Sequence, residues 1–416
     1  MRFNRLFKLF SIALSLVLLG ATVNPGWSQS RRQPPTSNEK KNKRPTETQK
    51  PGENQQEPLP PDIEPPNKQQ DLEKVSISTQ IVNVDAVVYH KKSGQIVTDL
   101  KKANFAVFAD GVQQTITNFS TPEAPITVAM VVEYSKWSEI FGYYGSQGYE
   151  NGTNEVIRPT AMFLSQFIKP PDDYVSVVAF DIRPTPLTDF TNNPQRLQAV
   201  ISLLLRNQPA FRETNLFDAL KFVLVGGRGD SVVLEDNKSP KSDYAGLASV
   251  QGRRRAVILV ASGIDTFSKI NYSDARKVLQ SSGVPVYIIG TGNMFKKLYG
   301  DSLPATDSLT GMPGRMTWLQ ADNTLQTFAK ETGGAYFPVT FEGELPKVLG
   351  SINALLRSQY SLAFNPGDVH DGKQHKLQVR VDIDGDGTYD DKEFVVQARQ
   401  YYNAPKPAPT GDKSQK

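Results

Sequence analysis

The stretch Ile126-Thr-Val-Ala-Met-Val-Val-Glu133-Tyr-Ser135-Lys-Trp137-Ser138 decides the fold. Its first seven residues are nearly all apolar, and a carboxylate and hydroxyls follow. A strand apolar on both faces is buried on both faces, as at the centre of a parallel sheet. Ligands of such sheets bind outside the carboxyl ends of the strands. Val132 giving way to Glu133 marks such an end.

Working outward, the chain alternates strand and helix. Helices are expected over Thr160–Ile168, from Asn193-Pro194 to Leu205, and over Leu216–Val225, Ser273–Gln280, Asn323–Glu331 and Leu345–Arg357. Buried strands are expected at Tyr174–Phe180 and Arg255–Ala261, and further strands at Val284–Ile289, Ala335–Pro338 and Tyr360–Phe364. The alternation predicts an α/β fold with a doubly wound, mostly parallel sheet. Phe295–Met316 reads as a long loop, a mobile excursion.

The flanks have a different pattern. Val75–Val88 reads as one long strand turning at Lys91–Gly94. Phe105–Phe108 and Thr115–Phe119 read as a hairpin about Asp110-Gly111. Residues 366–402 return to β, with strands at Lys376–Asp382 and Glu393–Ala398. The predicted organisation is a leader over 1–28, a linker over 29–74, a β-rich flank over 75–122, an α/β domain over 123–365, a β-hairpin flank with an acidic loop over 366–402 and a tail over 403–416.

Arg2, Arg5 and Lys8 precede the apolar run Leu9–Ala21, and small residues follow up to Ser28 or Ser30. That is the pattern of a secretory signal. The run is short against the ~20 residues of a spanning helix, so the mature chain is expected to have no stable membrane span; the alternative is an uncleaved anchor. The linker is rich in Pro, Gln, Lys and Glu and lacks the apolar surface needed to order itself. A periplasmic or extracellular location follows. The net charge of +4 over 416 residues gives no argument for nucleic acid, and the absence of cysteine excludes disulfides and thiolate chemistry. With no P-loop and no G-x-S-x-G elbow, nothing points to catalysis.

The order of elements resembles the von Willebrand factor A-type (VWA) domain, especially exported bacterial proteins of that kind. Phe105-Ala-Val-Phe-Ala-Asp-Gly-Val-Gln-Gln, Thr214-Asn-Leu-Phe-Asp-Ala-Leu220, Val257-Ile-Leu-Val-Ala-Ser-Gly-Ile-Asp265, Val286-Tyr-Ile-Ile-Gly-Thr-Gly292 and Phe328-Ala-Lys-Glu-Thr-Gly-Gly-Ala-Tyr-Phe337 carry the likeness over residues 75–402. The resemblance implies protein–protein interaction at the carboxyl edge of the sheet, with a partner the sequence does not identify. Many VWA domains bind a divalent cation there through Asp-x-Ser-x-Ser, a Thr and a further Asp. This chain has Glu133 for the first Asp, Trp137 for the second Ser with Ser138 one step late, and Ser262 for the last Asp; Ser135 and Thr214 stay in register. One carboxylate and a few hydroxyls make a poor Mg²⁺ site. Two other readings fit: Glu133 and Thr214 bond loop backbone, or Trp137, Tyr134, Phe141, Tyr143 and Tyr144 form a metal-independent binding face. The runner-up function is a structural subunit of an envelope complex, docked through its β flanks.

Asp382-Ile-Asp384-Gly-Asp386-Gly-Thr388-Tyr-Asp390-Asp-Lys-Glu393 matches D-x-D-x-D-G-x₅-E. Asp382, Asp384, Asp386, Asp390 and Glu393, with the Thr388 carbonyl, are the expected Ca²⁺ ligands. A solvated Asp-Gly hairpin is the alternative. Arg228-Gly-Asp230 reads as a chance tripeptide in a turn, Arg253-Arg-Arg255 as a solvated strand entry, and His370 and His375 near Asp371 as no zinc site.

Overall fold

A computed structural model describes residues 81–404 apart from 123, 137–152, 208, 231–240, 251–252, 310, 368 and 370. The leader, the linker, Trp137, Ser138, Phe141, Tyr143, Tyr144, His370 and the tail beyond Ala404 lie outside the described residues. The chain divides between Lys74 and Val75, and every described residue belongs to the second unit, Val75–Lys416.

The central sheet has six strands: β1 Ile126–Glu133, β2 Tyr174–Phe180, β3 Pro184–Thr191, β4 Arg254–Ala261, β5 Val286–Gly290 and β6 Tyr336–Pro338. Their order is β6-β5-β4-β1-β2-β3. Every pairing is parallel except β2 with the edge strand β3. The helices are α1 Thr153–Gln166, α2 Pro194–Arg206, α3 Leu216–Val225, α4 Tyr272–Ser282, α5 Gly292–Tyr299, α6 Arg315–Thr332 and α7 Leu345–Arg357.

All eight residues of β1 are buried, because both of its faces are covered. Val128, Met130 and Val132 meet Phe163 of α1, Leu197 of α2 and Leu349 of α7. Ala129 and Val131 meet Leu220 of α3, Leu279 of α4 and Phe328 of α6. Each large apolar side chain so buried contributes about 1.5–3 kcal/mol, against about 1 kcal/mol for a helix cap. Burial of β1 therefore outweighs local signals, though those agree with it. Asn193 caps α2 by accepting from the N–H groups of Gln195 and Arg196, with Pro194 in the first turn. Gly333 ends α6 at φ 81°, where a Cβ would lie 2.5 Å from the Arg399 nitrogen.

The described residues are mixed α/β, and the doubly wound parallel description applies to one of the four sheets among them. Val82–His90 pairs antiparallel with Tyr360–Phe364 and with Phe394–Ala398, and Tyr360–Phe364 also pairs with Ile116–Ser120. A further sheet joins Phe105–Ala109 to Val112–Gln114 and to Gln374–Val381, which in turn pairs with Tyr401–Asn403. Val84, Val107, Leu362 and Val379 share one core between these sheets.

Several expectations need correction. Asp110 (φ 48°) and Gly111 (φ 83°) do make the tight turn, but its second strand is Val112–Gln114; Ile116–Ser120 crosses to the other sheet. Tyr360–Phe364 belongs to the flank, not to the parallel sheet. Gln374–Val381 and Phe394–Ala398 are not a hairpin, because they pair with different strands, so the acidic loop bridges two sheets. The excursion after β5 is partly helical, as α5. Arg228-Gly-Asp230 lies in a two-stranded ribbon with Lys241–Tyr244 rather than in a turn.

Candidate functional site

β1 carries Glu133 to the carboxyl edge of the sheet. Strand β4 runs beside it with Val260 opposite Val132, which brings Ser262 next to Glu133. This is the switch point: from β1 the chain builds toward β3 on one side, and from β4 toward β6 on the other.

The crevice there is closed by the chain itself. Glu133 is only 2% exposed. Its Oε2 accepts the Ser262 N–H at 2.7 Å and the Ser262 hydroxyl at 2.8 Å, and its Oε1 accepts the Ser135 hydroxyl at 2.8 Å. Burial pushes the carboxyl up from its ordinary value, and these hydrogen bonds oppose that push. Three of about four acceptor positions are thus filled by protein donors. A hard cation would have to displace them, so the residues as arranged do not fit a Mg²⁺ ion that keeps its own oxygen shell.

Thr214 is buried nearby with a separate task. Its hydroxyl donates to the Ile264 carbonyl at 2.7 Å, and its own carbonyl accepts from Thr266 and Phe267, both at 2.9 Å. It fastens the loop after β4. Asp265 accepts from Ser268 and from the Phe217 N–H at the start of α3, so it does not replace the missing ligand. The structure therefore gathers Glu133, Ser135 and Ser262, and sets Thr214 one loop strand away.

Around this closed centre the rim is apolar. Leu205, Phe211, Phe267, Leu309, Met312, Met316, Leu319 and Phe341 are exposed. All lie at helix ends or on loops at the carboxyl edge of the sheet. Lys136 donates to the Phe211 carbonyl, Phe267 to Thr214, and Val339 to Gly290. α6 ends at the opposite edge, where Thr332 accepts from the Val286 N–H, so its start, with Met316 and Leu319, is at the rim. A cleft of about 330 Å³ opens there between Tyr134, Phe180, Asp181, Leu187, Leu203 and Leu204. Burial raises the Asp181 carboxyl.

The acidic loop is arranged differently. Carboxylate oxygens of Asp382, Asp384 and Asp390 lie within 4.8 Å of one another. Asp382 accepts the N–H groups of Gly385 (2.7 Å) and Gly387 (2.8 Å), Asp384 that of Asp386 (3.2 Å), and Asp390 that of Ile383 (2.7 Å). These bonds leave several lone pairs on the three carboxylates open. Asp386 is turned onto Thr388, accepting its hydroxyl at 2.6 Å and its N–H at 2.7 Å; those two bonds lower its pKa. Glu393 stands outside the group of three, its carbonyl accepting from the Lys91 N–H at 2.7 Å. The three clustered carboxylates suit Ca²⁺, which takes six to eight oxygens in flexible geometry.

Sequence reasoning missed two features. The edge strand β3 holds Pro184 and Pro186, which argue against a strand in the interior of a sheet but are tolerated at an edge. Arg254 is 4% exposed rather than solvated, and donates to the carbonyls of Ala124, Leu356 and Gln359. Nothing in the local sequence signals those partners, which lie over a hundred positions away.

Among the described residues, no helix is long and apolar enough to cross a membrane. No family model matches the chain, and no curated protein does. Solved structures are similar to it. Proximal thread matrix protein 1 from the mussel byssus is 14% identical over 63% of this chain and 50% of that one, with a TM-score of 0.36. The PilB minor pilin from Streptococcus sanguinis is 14% identical over 56% and 62%, with a TM-score of 0.37. An aerotolerance-related membrane protein from Bacteroides fragilis is 14% identical over 56% and 98%, with a TM-score of 0.35. The chain spans about half the length of the first and under two thirds of the second.

Proposed function

We propose that this chain is an exported protein-binding module of VWA type that holds its partner through the apolar side chains of the rim, without a metal ion at Glu133. The observation that carries the reading is the distribution of exposed apolar groups. Of the eleven large apolar side chains exposed among the described residues, all but Ile81, Val112 and Val225 belong to the rim. Clustered exposed apolar groups are the usual mark of an interaction surface, whereas scattered ones are not. The buried Glu133 centre then serves as a scaffold that fixes the loops.

The test is capture of the partner from the exported fraction with wild type, Met316→Asp and Phe267→Asp, each with and without chelator. Loss in both variants, with no effect of chelator, is the expected result. Retention in both contradicts the reading. The second reading, docking through the β flanks, draws on a groove of about 510 Å³ between α6 and Phe394–Ala398, lined by Tyr89, Lys330, Tyr336 and Val395. Loss of capture in Val395→Asp alone would favour it.

The loop Asp382–Glu393 is a Ca²⁺ site in this proposal, with Asp382, Asp384 and Asp390 as its carboxylate ligands. It stiffens the bridge between the two flank sheets. Residues 1–28 act as the export signal, and the mass of the mature chain from the exported fraction tests that assignment.

A further inference from the structure

A second cavity lies at the opposite edge of the central sheet, where β4 begins. It holds about 260 Å³ and is lined by Asn83, Asp85, Asn118 and Ser120 on one side and Arg253, Arg254 and Arg255 on the other. The strand register explains the polar side. Asp85 faces Ser361, and Ser361 faces Ser120, so these residues share one face of the flank sheet. The alternate residues Val82, Val84 and Ala86 go to the apolar core.

The arginines bring charge that their hydrogen-bond partners do not neutralise. Arg254 donates only to carbonyls. Arg255 Nη1 donates to the carbonyls of Leu247 (3.3 Å) and Ala248 (3.4 Å). Arg253 Nε donates to the Thr127 hydroxyl at 3.0 Å, and its guanidinium stands 4.8 Å from the Tyr174 ring centre. Its Nη2 is buried without a hydrogen-bond partner. Carbonyls and a hydroxyl satisfy hydrogen bonds but leave the charges in place, and a buried charge is costly unless paired. Among the described residues lining the cavity, the one carboxylate is Asp85, which is bonded to the Ser361 hydroxyl. Among these described residues, three guanidinium groups stand against one carboxylate, an electropositive lining.

We infer that this cavity binds a small oxyanion, a phosphate or carboxylate group, held by Arg253 and Arg255. Guanidinium groups match the oxygens of both anions by two parallel N–H bonds. The volume sets the class. Sites for drug-sized ligands start at about 300 Å³, so this one suits a small anion or a single acidic group. Asn83, Asn118 and Ser120 add neutral donors. Asp85 opposes the anion and sets how tightly it is held. This inference is independent of the rim proposal, since the two sites occupy opposite edges of the sheet.

Calorimetric titration of the full chain with inorganic phosphate, against chloride at equal ionic strength, tests it. Saturable one-site binding is expected, weakened about tenfold in Arg253→Gln, which removes a charged donor. Asp85→Asn keeps a partner for Ser361 and is expected to tighten the anion several-fold. This second variant keeps the test decisive if Arg253→Gln fails to fold. Acetate in place of phosphate tells the two anion classes apart. Absence of saturable binding in both wild type and Asp85→Asn overturns the inference, as does an unchanged affinity in a folded Arg253→Gln.

Discussion

Glu133 at the end of β1 and Asp382 at the start of the acidic loop carry the same functional group, yet the fold treats them in opposite ways. Glu133 is sealed beneath the rim, takes three hydrogen bonds from Ser135 and Ser262, and holds its proton more tightly than a free carboxyl. Asp382 shares an open loop with Asp384 and Asp390, and all three keep lone pairs to offer. The difference teaches that ligand chemistry alone does not make a cation site. A carboxylate already saturated by protein donors acts as a fastener. A carboxylate grouped with others near solvent keeps acceptor positions open.

The sharpest way to break the comparison is to remove the fastener. Glu133→Ala leaves the Ser262 N–H and two hydroxyls buried without an acceptor. A loss of about 3 kcal/mol is expected from urea unfolding, at the upper end of the cost of an unsatisfied buried group. A loss below about 0.5 kcal/mol would mean the centre is not structural.

A smaller effect is expected from pH. Because burial raises the native pKa of Glu133 above 4.5, the folded state binds its proton more tightly than the unfolded chain does. Stability therefore falls as pH rises from 4.5 through the native value, then levels off. Glu133→Gln removes that slope, which urea midpoints over a pH series would read. An identical slope in the variant contradicts the assignment.

The smallest effect concerns the flank. His375 is 14% exposed and lies between Asp110, 2.7 Å from Nδ1, and Asp371, 3.1 Å from Nε2. The Asp110 hydrogen bond is the largest cause of its raised pKa. Its contribution is complete below the ordinary value of 6.5 and fades as pH rises through the raised one. With partly exposed partners, under about 1 kcal/mol is expected. Melting of His375→Gln should match wild type at high pH and fall below it at about pH 6; a gap that does not change with pH would refute the pairing.

Much of the centre of the molecule was legible in its sequence. The apolar run of β1 announced a strand buried on both faces, and Leu345–Arg357 was readable to the residue from its spacing. Legibility failed where partners are far apart in the chain. Nothing near Tyr360 reveals that it pairs with Ala86, and nothing near Glu393 reveals that the strand following it leaves for another sheet. At the rim, the family resemblance supplied Glu133, Ser135 and Ser262 as a set but could not tell an open site from a closed one. That depends on the register of β1 against β4, which places the Ser262 N–H on the carboxylate.

Calorimetric titration of the full chain with Ca²⁺ and then with Mg²⁺ tests the contrast most directly. One Ca²⁺ site of roughly 10⁻⁴–10⁻³ M, the range of extracellular modules, is the predicted result, lost in Asp384→Asn and unchanged in Glu133→Gln, with no Mg²⁺ heat. Mg²⁺ binding that disappears in Glu133→Gln would contradict it.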